Sequence, residues 1–258
     1  MNVGWRLALF VLSLIVLAPC VWQLAAALPA FGAPTSAYGD TVNALIPAAR
    51  RVTNMVAAVN FDVRGIDTLG EECILVCAVT GAVVLMRGAR GEDITAKAVH
   101  LPGRPIVQRT DATILLCRAA ATITMLFGIY VVLHGTTTPG GGFQGGAIAA
   151  SSFTLLYLGE GYRIWRRLLP GPIMDVLEGG GAFIFVACAA LPLAFGAAAL
   201  ANVLPYGQPK DLFSGGMMVI ANLAVALAVL GSFTTLLLEF MGETRVPEDE
   251  TDASGQAP

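Results

Sequence analysis

Charge is what this sequence has least of. Asp, Glu, Lys and Arg make up 13% of its 258 residues, 56% are hydrophobic, and the mean hydropathy is +0.72. Soluble domains carry about 25% charged residues, so an ordinary water-facing globular surface is excluded. Histidine is nearly absent, with two in the chain, and there are five cysteines. Cys20, Cys73, Cys77, Cys117 and Cys188 all fall in apolar stretches, and Cys73 and Cys77 have no further His or Cys nearby to complete a tetrahedral set. No metal centre and no cofactor is expected. The net charge of -3 is modest, and nothing in the sequence suggests nucleic acid. No repeat of 20 to 50 residues is visible, which argues against a solenoid.

What is present is a set of apolar runs. A bilayer core of about 30 Å needs roughly 20 apolar helical residues, and six windows approach that length: 7–27, 68–86, 112–133, 143–158, 172–198 and 213–240. An all-α integral membrane protein of about six spans follows, embedded in the lipid of the cell membrane. The first run exceeds the 7 to 15 residues of a signal-peptide core and is read as a retained span. With both termini cytoplasmic, the inner segments hold Arg6, Arg87, Arg90, Lys97, Arg104, Arg109, Arg163, Arg166, Arg167 and Arg245. The outer segments then hold Arg50, Arg51, Arg64 and Lys210, as the excess of inner positive charge requires. Arg118, inside a span, is expected to snorkel to the inner interface.

The chain divides at its basic second connection, which carries Pro102 and Pro105. Residues 1–98 form a two-span module with an external amphipathic helix over about 40–61, bent near Pro47. Residues 99–245 form a four-span module, and 246–258 an acidic tail whose composition predicts disorder.

The second span opens with "FDVRGIDTLGEEC". On a helix Arg64 and Asp67 are three apart and Asp67 and Glu71 four apart, so they share a face. A carboxylate at the bilayer centre costs about 2.5–3.5 kcal/mol on insertion scales. Glu71 therefore needs an interface, a counter-ion or a polar interior. Two readings stand: an interfacial ion pair of Arg64 with Asp67, and a proton or sodium path through Glu71. Glu72, about 100 degrees round the helix, does not share that face and receives less weight. The run Asp62, Arg64, Gly65, Asp67, Thr68, Leu69, Gly70, Glu71 resembles the signature near the carboxy terminus of the A-type component of Mrp-type multisubunit sodium/proton antiporters. A similar segment occurs in a small component of membrane-bound hydrogenases.

Between the third and fourth spans lies "HGTTTPGGGFQGG", without a charge. Pro139 fixes its own backbone, whereas Gly140, Gly141 and Gly142 allow positive φ, so a compact re-entry into the membrane is expected. Irregular backbone at that depth must be covered by protein or line a cavity. Gly145, Gly146, Ala147, Ala149 and Ala150 let helices approach closely. The lysine of a phosphate-binding loop is missing. His134 is either a proton relay or a helix-end residue bonded to nearby backbone. Asp175 and Glu178 follow a basic segment and read as a cytoplasmic surface pair, with a proton-path role for Glu178 the alternative.

His134–Gly135 and "PGGGFQGG", with Phe143 inside it, are similar to the hallmark of the B-type component of the same antiporters. "LEGGGAFIF" at 177–185 and "LANVLPYG" at 200–207 continue that resemblance. Thr136 and Ser214 stand where many members carry a histidine and an aspartate.

The resemblance implies a non-enzymatic membrane component of a multisubunit antiporter exchanging sodium, or another monovalent cation, for protons beside larger pumping subunits. Path candidates are Glu71, Asp67, Arg64, Glu178 and His134. No span carries the mid-helix lysine of a protein that pumps alone. A ferredoxin-linked hydrogenase or complex I-like ion pump, and a purely structural assembly role, are the alternatives.

Overall fold

The computed structural model of the chain describes residues 3–32, 36–92, 109–169 and 171–243. The acidic tail and most of the basic connection, with the expected module boundary, lie outside the described residues. Every regular element among those described is helical.

The chain divides into two compact units, residues 1–42 and residues 43–258. The first unit contains α1, Val3–Ala26, and the start of α2, Ala37–Arg50. Gly4–Ala26 is long and apolar enough to span a bilayer, and its apolar side chains, Trp5, Phe10, Ile15 and Trp22 among them, are exposed. An apolar helix exposed on all sides requires lipid or another chain as its solvent.

The second unit holds α3, Met55–Ala58; a π-helical stretch, Val59–Val63; α4, Gly65–Glu92; α5, Asp111–Leu133; α6, Gly142–Leu168; α7, Gly171–Ala194; and α8, Met217–Glu243. The amphipathic run expected as one helix over 40–61 is broken. Its helix stops at Arg50, Arg51 takes a positive φ of 59°, and Asn54 starts a new turn by accepting hydrogen bonds from the amides of Val56 and Ala57.

Helix α8 lies at the centre, packed by α4, α6 and α7, while α5 packs chiefly on α6. The core joins Phe185 of α7 to Ala221, Ala224, Val225 and Val229 of α8, with Phe61 and Leu69 against it. Small residues set these spacings. A Cβ on Gly181 would collide with the Ala228 nitrogen, and one on Gly145 with Val132 Cγ2. Such backbone approach replaces the hydrophobic driving force that lipid does not supply.

Among the described residues five helices, α1, α4, α5, α7 and α8, are long and apolar enough to cross a membrane. The sixth expected span, α6, is 27 residues long but less apolar, since it carries Gln144, Ser151 and Ser152. Covered by α5 and α8, it has less need of a lipid-compatible surface. It bends at Gly161, whose φ of 77° and ψ of 173° interrupt the helix.

Candidate functional site

Three stretches far apart in sequence meet beside α8. The first is the π-helical stretch, whose extra residue per turn is a frequent mark of functional sites. It passes into α4 through Arg64 and is fastened there by Thr68 Oγ1, which donates to the Asn60 carbonyl at 2.7 Å. The second is the start of α4, with Glu71 and Glu72. The third is the glycine loop leading into α6.

Two asparagines hold that loop. Asn222, inside α8 and 3% exposed, accepts the Gly142 amide on Oδ1 at 2.6 Å and donates Nδ2 to the Val132 carbonyl at 2.8 Å. It thus fixes the loop's exit and the end of α5 together. From the other side Asn54 donates to the carbonyls of Gly135 at 2.7 Å and Thr138 at 2.9 Å, while the amides of Thr53 and Asn54 reach the Thr136 carbonyl.

The glycines answer two different demands. Gly140 and Gly141 adopt φ of 144° and 152°, conformations other residues rarely take. Gly142 has ordinary backbone but no room: a Cβ would collide with the Asn222 carbonyl oxygen. Phe143 then packs edge-on against Phe233 of α8, with ring centroids 5.8 Å apart.

Between these parts lies a cavity of about 430 Å³. Asn60, Thr68, Glu71, Glu72, Gln144 and Gly140–Gly142 contribute to its wall, and no residue lining it is basic. Glu71 is exposed and stands at the cavity's rim. Glu72 is 4% exposed, and its Oε2 is buried without a hydrogen-bond partner. An unpaired polar atom removed from water costs on the order of 1–3 kcal/mol, more if charged.

The remaining sequence-predicted residues lie elsewhere. Arg64 and Asp67 pair with each other at 2.5 Å, both largely exposed. His134 ends α5, with Nδ1 3.0 Å from the Tyr130 carbonyl and its ring 4.0 Å from the Tyr130 ring. It does not line the cavity. Glu178 is 8% exposed, set against α8 beside the Ser232 hydroxyl, rather than at a surface. Pro139 is exposed, while Gly145 and Gly146 bury against α5 and α8. Arg118 does not end in solvent alone; its Nε donates to Glu160 of α6, whose side chain is buried. Thr136 and Ser214, at the two departures from the B-type pattern, are buried with hydroxyls that find no partner.

Other anchors lie outside the spans. Arg50 donates Nε to Asp62 and lies over the Tyr206 ring, 5.5 Å from its centroid. The Asp62 hydrogen bond holds the guanidinium above its ordinary range. Asn202, inside the "LANVLPYG" segment, accepts the amides of Leu204 at 3.2 Å and Met217 at 2.9 Å, capping the start of α8. Sequence reasoning missed Asn54, Asn202 and Asn222. An amide in the middle of an apolar helix was the available signal for Asn222.

Fold and cavity together define a multi-pass, all-helical membrane protein that holds an ionisable group between its helices. Residues 113–235 match the family domain described as related to the MnhB subunit of Na+/H+ antiporter. The MnhB-type Na+/H+ antiporter protein of Bacillus subtilis is 34% identical over 149 residues, which cover 53% of this chain and 96% of that one. The chain belongs to the MnhB family of Na+/H+ antiporter components, whose members lie in the plasma membrane. Its fold extends beyond the matched domain. A chain of the membrane-bound sulfane sulfur reductase, an archaeal respiratory membrane complex, is similar with a TM-score of 0.66 and 25% identity. That likeness covers 92% of this chain and 98% of that chain. A chain of the Mrp complex from Dietzia sp. matches with a TM-score of 0.67 at 20% identity, over 96% of this chain and 27% of that chain, and shares the fold.

Proposed function

We propose that this membrane antiporter component lines part of the route by which a multisubunit complex exchanges a monovalent cation, sodium first, for protons. In this reading residues 1–98 are a two-span module like the carboxy-terminal region of the A-type component, and residues 99–245 are the MnhB-like module. The path runs where the two meet. The observation that carries the reading is the cavity: the acidic start of α4 and the glycine loop, each resembling a different antiporter component, are its two walls. Polar groups at membrane depth are expensive, and their usual justification is an ion or proton pathway. Glu71 at the rim is the entry candidate, with Arg64 and Asp67 on the same face. Glu178 and His134, away from the cavity, rank below them.

The test is sodium-driven proton flux in vesicles containing the complete complex. Replacing Glu71 and Glu72 together by Gln is expected to abolish most of the flux while the subunits still co-purify. Unchanged flux with the pair replaced overturns the assignment.

A second reading is favoured by the sulfane sulfur reductase likeness, which extends over nearly the whole of both chains. There the same membrane module serves a redox-driven complex. Iron–sulfur proteins co-purifying with the chain, and flux that needs an electron donor, distinguish it from the antiporter.

A further inference from the structure

We propose that Glu72, with the cavity beside it, is a binding site that exchanges one proton for one small monovalent cation. This rests on the antiporter reading and names the atom at which exchange occurs. Glu71, the acid that the sequence motif brings forward, is exposed and stays accessible to solvent or headgroups. Glu72 is enclosed, and its Oε2 has no partner. Every neighbouring helix could have supplied a counter-charge, yet the residues lining the cavity are neutral apart from Glu71 and Glu72. On the α8 side the wall is Val225, and on the loop side it is glycine backbone, Phe143 and Gln144.

The arrangement is that of a small-cation site. Hard monovalent cations take oxygen ligands, and this cavity offers one carboxylate with neutral oxygens nearby. Thr68 Oγ1 and Gln144 Oε1 are the side-chain candidates, the latter close against Gly141. With the proton on, the carboxyl is neutral and tolerates enclosure. When the cation enters and the proton leaves, net charge at the site is unchanged, so the desolvation cost that forbids a bare carboxylate there is avoided. Exchange of like for like charge is the elementary step an antiporter needs. The acidic rim at Glu71 and the carboxyl of Glu72 disfavour an anion here.

The experiment labels the intact complex in its membrane with dicyclohexylcarbodiimide, which adds a protonated carboxyl across its N=C=N group and leaves a stable adduct. Peptides are mapped by mass spectrometry after labelling in sodium chloride or in choline chloride of equal ionic strength. The site predicts an adduct on Glu72 whose formation is suppressed by sodium and not by choline, and which is lost in Glu72→Gln complexes that still co-purify. Labelling confined to Glu71, no adduct on Glu72, or an adduct formed equally in both salts overturns it. Flux measured on the same wild-type vesicles separates the two levels. Sodium-protected labelling without sodium-driven proton flux sinks the antiporter reading alone, and flux with unprotected labelling sinks the site alone.

Discussion

Glu72 of α4 and Glu178 of α7 are both buried, and they differ in what surrounds them. Glu178 is pressed into the α7–α8 contact, so tightly that a Cβ on Gly231 would lie 2.5 Å from its amide nitrogen, and Ser232 stands beside its carboxyl. Glu72 meets a cavity and no partner. Both bear the cost of leaving water, but Glu178 is packed as part of a helix contact, whereas Glu72 has volume into which an ion could come. Burial by itself therefore does not separate the two; the cavity beside Glu72 does.

The comparison breaks most visibly at the cavity wall. Gly142→Val forces a side chain into space occupied by α8 backbone, and co-purification should show complete loss of this chain from its complex. A variant that assembles normally would mean the loop is not seated as described. Next in size, Glu72→Gln should lower sodium-driven proton flux about tenfold or more, equivalent to ~1.4 kcal/mol. Glu178→Gln, which keeps shape in a packed site, should change it less than about twofold, a few tenths of a kcal/mol. The reverse order would move the pathway to the α7–α8 side.

Asn222→Leu removes both partners of the loop's exit. It leaves the Gly142 amide unsatisfied, at on the order of 1–3 kcal/mol, and takes one of two donors from the Val132 carbonyl, which still accepts the Gly135 amide. Thermal inactivation of the detergent-solubilised complex should come at lower temperature, and Asn54→Ala, which removes the bonds to the Gly135 and Thr138 carbonyls, should act in the same direction. Smallest is Arg64→Ala. An exposed pair contributes about 0–1 kcal/mol, so stability should be unaffected within error, and a large loss would show that Arg64 contacts a partner chain.

Much of this was legible in order and little of it in depth. The apolar runs located α4, α5, α7 and α8 to within a few residues, since length and hydropathy are what a bilayer selects. The glycine loop was legible because Pro139 and three glycines in an apolar chain have few other uses. The choice between Glu71 and Glu72 was not. Helical spacing groups Arg64, Asp67 and Glu71 on one face, but charges that can pair with one another are those that can stay wet, and the lone acid off that face is the one turned inward. The asparagine anchors escaped for a different reason. Asn54 and Asn222 bond to backbone atoms 80 to 90 residues away, and no local pattern encodes a partner at that separation. The Arg118–Glu160 pair, 42 residues apart, was invisible on the same ground.

The seat of Gly142 on Asn222 also sets an order of events at the ribosome. Asn54 and the proline–glycine bend are made and threaded into the bilayer well before α8 exists, so during synthesis the acid on α4 still faces an unfinished enclosure. The arrival of α8 brings the one amide side chain that ties two earlier segments together, along with Val225 of the cavity wall. Before α8 is added, the growing chain lacks that part of the wall.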